Sequence, residues 1–128
     1  MVQNRNKLIG LFISNISNAI VHKILEKASE QEELSNKYNK EELTSFEIAK
    51  KYREKINPKE TSLPDKDVLY IKNKIMNKVK TELLLRISKG YENINLSLVE
   101  SLVDEFLKEI RVSWKLARKF GKKKIMRF

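Results

Sequence analysis

Ile9, Phe12, Ile13, Ile16, Ile20 and Ile24 follow one another at steps of three and four residues, the interval that gathers side chains on one face of an α-helix. The spacing predicts a long amphipathic helix over about residues 4–34. Leu11 falls off the main stripe, so the first two turns carry more apolar surface than one face needs. Either this helix is central in the fold, or a second subunit covers it. Ser14, Asn15, Ser17 and Asn18 form helix poorly and mark the place for a bend or break. Residues 7–13, rich in β-branched and aromatic side chains, would also suit a strand.

Residues 35–43 have weak periodicity and several turn-prone side chains, which reads as a connection. Thr44 with Glu47 three residues on matches a capping box, predicting a short helix over 45–56 whose apolar face is Ile48, Ala49, Tyr52 and Ile56. Both prolines, Pro58 and Pro64, fall in 57–64; each restricts its preceding residue and lacks a donor for a helical hydrogen bond, so this is the clearest loop. Asp65 offers an N-cap to a third helix over 65–88, with Val68, Ile71, Ile75, Val79, Leu83 and Ile87 inward and Gly90 closing it.

A fourth helix is expected over 95–120. Leu98, Val99, Leu102, Val103, Phe106, Leu107, Ile110, Trp114 and Ala117 line one side, and Arg111, Lys115, Arg118, Lys119 and Lys122 gather on an adjacent arc of the final turns. Gly121 ends this helix and leaves a short basic tail. The pattern predicts an all-α protein, an irregular bundle of four main helices, organised as a single helical domain over 1–120 and a basic C-terminal tail over 121–128.

Composition changes this picture in two ways. A chain of 128 residues, 41% hydrophobic and 34% charged, suits one folded, water-soluble core. The absence of cysteine removes disulfides, thiolate nucleophiles and zinc–thiolate sites. Arg5 and Lys7 before the run Leu8 to Ile13 resemble the start of a signal peptide, but the run breaks at Ser14-Asn15 without a small-residue cleavage site. At that length it is too short to cross a bilayer. The expectation is a cytoplasmic protein with no membrane span.

Charge is the second change. Of 27 basic residues, eight lie in 111–128 (Arg111, Lys115, Arg118, Lys119, Lys122, Lys123, Lys124 and Arg127) with no acid among them. The other nineteen sit among all seventeen acids, so the body is close to neutral and the C-terminus is a cationic arm. Clustered Lys and Arg beside Trp114 and Phe120 suit a phosphate backbone, whose neutralisation releases condensed counterions. An anionic lipid surface ranks lower, because the apolar stripe of this helix simply continues its core stripe. The residues expected to touch nucleic acid are therefore those eight and Trp114, as non-specific contacts, since no cluster of Arg, Asn or Gln suggests base readout.

Other chemistry finds little support. The stretch Phe46 to Tyr52 has the flavour of a helix-turn-helix, but a long proline-bearing loop stands where a tight turn belongs. His22, the only histidine, lies beside Asn15 and Asn18 away from the apolar stripe and is expected at the surface. The pairs Asp65/Asp67 and Asp104/Glu105 are explained by a helix start and a solvated helix face. Three glycines leave little room for a phosphate loop or nucleotide fingerprint. No enzyme activity, cofactor or metal is expected. The rival to a nucleic-acid-associated protein is an assembly module, a homodimer or protein complex formed through the first helix, with a merely solubilising tail.

Overall fold

A computed structural model of the chain describes residues 4–56 and 63–110. Four α-helices, α1 (Arg5–Ala28), α2 (Glu32–Ile56), α3 (Asp65–Ser88) and α4 (Val99–Glu109), account for most of these residues, and there is no strand among them. The protein is an all-α bundle.

The first helix is its centre. α1 runs unbroken through Ser14–Asn18 and packs on α2, α3 and α4. Phe12, Ile16, Ala19 and Ile20 have no exposed surface, and Leu11 is half-buried. The apolar excess of the first turns is thus largely covered within the chain. The strand alternative for 7–13 is overturned for the same reason: a helix buried on several sides tolerates β-branched residues, whose propensity is a weak force against packing. Because the helix does not stop at Ser14, the apolar segment is longer than the run Leu8 to Ile13 and by length and composition alone would suffice to cross a membrane. Two-thirds of that apolar window is buried inside the bundle.

The boundary between α1 and α2 differs most from expectation. Residues 35–43 form no connection; they are the first half of a 25-residue α2. The turn lies earlier, at residues 29–31, inside the span read as the first helix. There Ser29 is extended, its Oγ accepts from the Gln31 amide and donates to the Gln31 carbonyl, and this local bonding competes with the helical ladder. Thr44 and Glu47 are mid-helix, so the apparent capping box caps nothing, and Glu47 pairs instead with Lys50 at 3.5 Å. Contacts between residues 18 and 45, 22 and 41, and 26 and 35 show that α2 returns antiparallel along α1.

α3 and α4 are closer to their predicted form. Ile71, Ile75, Val79 and Leu83 are wholly buried, whereas Ile87 is exposed. Pro64, not Asp65, occupies the cap position of α3, its carbonyl accepting from the amides of Asp67 and Val68. Gly90, at φ 99°, ends α3: its amide donates to Ile87 and that of Tyr91 to Arg86, the Schellman arrangement for which glycine is suited. Asn95 accepts from the Ser97 amide and starts a 3-10 turn (Leu96–Leu98) that leads into α4. Val99, Leu102, Val103, Phe106, Leu107 and Ile110 close the core, and Phe106 meets Phe46 of α2 edge-on at 5.6 Å. The segment predicted to continue this helix beyond 110, and residues 57–62 with Pro58, lie outside the described residues.

Candidate functional site

Every residue expected to touch nucleic acid (Arg111, Trp114, Lys115, Arg118, Lys119, Lys122, Lys123, Lys124 and Arg127) falls outside the described residues. What precedes them is described. α4 turns Val99, Val103 and Phe106 inward and sets Glu100, Asp104, Glu105 and Glu109 on its outer side, so the basic segment follows directly on an acidic one.

The body is near neutral in total but not in distribution. From residue 68 to 81 there are four lysines, Lys72, Lys74, Lys78 and Lys80, and no acid. At about 100° per residue the buried stripe of α3 takes Ile71, Ile75 and Val79, and Lys72 flanks it. Lys72 reaches across to α4, with Asp104 at 3.0 Å and Glu100 at 3.4 Å, and those carboxylates hold its ammonium above the ordinary lysine range. Asn73, Lys74, Asn77, Lys78, Lys80 and Thr81 face outward. The carboxylates that border this face are taken: Asp67 pairs with Arg5 and Glu82 with Arg86, at 2.8 and 2.9 Å. Lys74, Lys78 and Lys80 make no ion pair with a described residue. Where α3 lies against the first half of α1, Gly10, Ile13 and Ser14 join Tyr70, Lys74, Asn77, Lys78, Thr81 and the Arg86-paired Glu82 around a shallow groove of about 570 Å³. Sequence reasoning missed this face. The run of 14 residues without an acid was its one visible signal, and its conjunction with α1 required the fold.

A second polar constellation is buried between α1 and α2. His22 is buried, not at the surface as expected, because α2 lies over it: Nδ1 donates to the Asn18 carbonyl at 2.8 Å, Nε2 faces Glu41 at 2.6 Å, and the ring packs beside Tyr38. One turn earlier, Asn18 donates to Ser45 Oγ at 2.7 Å. One turn later, the buried Glu42 carboxyl lies against Glu26, with Lys23 Nζ 4.0 Å from Glu42 and 3.9 Å from Glu26. Burial, then the hydrogen bond to Glu26, push Glu42 up to about 7 against the opposing pull of Lys23. Toward the other end of α2, Arg53 is buried, which pushes its guanidinium down from its ordinary value.

This seam stitches two helices together, and its members bond mainly to one another. Near its end, Tyr38 and Tyr91 border a cleft of about 250 Å³ over the α1–α2 turn, with Leu25, Leu34 and Ile94 as apolar walls. Among the described residues no group of three or more His, Asp or Glu side chains is placed to hold a metal ion. Compared with family models, curated proteins and solved structures, the chain matches none of them.

Proposed function

We propose that this chain is a small cytoplasmic protein without enzymatic activity that associates with nucleic acid, its C-terminal segment from Arg111 to Arg127 making sequence-independent contacts to phosphates. The supporting observation is the segregation of charge: eight basic residues and no acid in the last eighteen positions, after a body in which nineteen basic residues meet seventeen acids. A polyanion draws such a segment through counterion release, and Trp114 adds an aromatic surface for an unpaired base. Phosphate contacts of this kind position a protein and carry no sequence information.

The test replaces Arg118, Lys119, Lys122, Lys123 and Lys124 by Gln together. Affinity for DNA and RNA is expected to fall roughly tenfold or more, and the salt dependence to flatten by about 0.7–0.9 in log–log slope for each phosphate no longer neutralised. Equal affinity for intact and substituted protein rejects the proposal. A second reading, a helical assembly module, draws its support from α3 rather than α1, since Leu69, Leu84 and Leu85 are about half exposed. A stable oligomer in light scattering, formed by a protein that ignores nucleic acid, would favour it.

A further inference from the structure

The groove between α1 and α3 has three properties that belong together. Its charge is positive on balance: Lys74 and Lys78 stand about one helical turn apart, about 6 Å along the axis, and Glu82, which also lines it, is paired with Arg86, as Asp67 nearby is with Arg5. Its uncharged polar groups, Ser14, Asn77 and Thr81, supply hydroxyl and amide donors and acceptors of the sort that contact sugar, phosphate or base edges. An aromatic ring also borders it. Tyr70 is 52% exposed, with the Lys74 ammonium 5.6 Å from its ring centroid. The floor on the α1 side is low, because Gly10 presents no side chain and a Cβ built there would meet nothing within 4 Å.

Unpaired cations at helical spacing beside an exposed ring are the elements by which proteins hold an unpaired strand: the backbone follows the charge and a base stacks on the aromatic face. A duplex presents no free base face to Tyr70. We propose that this groove binds single-stranded nucleic acid, with backbone phosphates on Lys74 and Lys78 and a base against Tyr70. The inference rests on the nucleic-acid reading of the chain and adds to it a second contact on the folded body.

Three variants test it against the C-terminal Gln variant, with oligothymidylate and the corresponding duplex as probes. Lys74→Gln with Lys78→Gln is expected to lower oligothymidylate affinity severalfold and to reduce the salt slope by up to about 1.4. Tyr70→Ala is expected to lower it about fivefold or more while leaving duplex binding nearly unchanged. Gly10→Glu sets a carboxylate in open space at the groove floor. It should weaken oligothymidylate binding while melting at or above the temperature of the unaltered protein, since glycine is a poor helix former. If all three bind as the intact chain does while the C-terminal variant loses affinity, the groove assignment is overturned and the proposed function stands. If Tyr70→Ala has no effect and the lysine variant loses duplex and single strand alike, the single-strand assignment is overturned. An intact chain that binds neither probe overturns both.

Discussion

Phe12→Ala is expected to destabilise the fold by about 3–5 kcal/mol. The ring is wholly buried on the helix that touches the other three, so its removal forfeits both transfer free energy and packing that the neighbouring helices cannot restore without moving α1. Small domains are stable by only about 5–15 kcal/mol in all, and the melting temperature of a domain this size moves by roughly 4 °C per kcal/mol. Thermal or denaturant unfolding should therefore show a drop of well over 10 °C, or no cooperative transition at all. A change below about 1 kcal/mol would show that α1 is not the centre of the bundle.

Glu42→Gln should act in the opposite direction, and only at higher pH. The Glu42 carboxyl is held at about 7 against an ordinary value of 4.5, first by burial and then by its hydrogen bond to Glu26. The folded state therefore binds this proton more tightly than the unfolded chain does, and stability falls as pH rises between the two values. The favourable contribution is complete below about 4.5 and lost above about 7. Ionising Glu42 in the seam is expected to cost up to about 3 kcal/mol. Glutamine matches the protonated carboxyl in shape, donates to Glu26 as the acid does, and cannot ionise. The variant should melt close to the parent at pH 5 and several degrees above it at pH 8. A difference that does not vary with pH, or a loss of stability at pH 8, would refute this placement of the proton.

The same residue shows why part of the fold was hidden in the sequence. α1, α3 and α4 announce themselves because their inward positions are Ile, Val, Leu and Phe at helical spacing, with Gly90 and Asn95 at their ends. The inward positions of α2 include Glu42, Ser45 and Arg53, so its hydrophobic period vanishes over residues 35–45. Buried polar groups that face another helix look like loop chemistry when read along one strand of sequence. His22 was misplaced for the matching reason: its helical position lies off the apolar stripe of α1, and only α2 makes that face interior.

The candidate sites divide in the same way. The basic C-terminal segment is legible as composition, since charge that accumulates over consecutive residues needs no fold to be seen. The α1–α3 groove is not, because Gly10 and Ser14 lie some sixty residues from Lys74 and Lys78, and Lys72 in the same run turns to α4. Only α3's placement separates the lysine that staples the bundle from those that face outward.

The association of this chain with polyanions is tested most directly by titrating the intact protein, freed of copurified nucleic acid, into labelled oligothymidylate between about 50 and 200 mM salt. A linear fall of log affinity with log salt, with a slope of about −3 or steeper, is predicted for contacts shared between the C-terminal segment and the α3 lysines. No binding at the lowest salt, or an affinity that stays constant across the range, would contradict it.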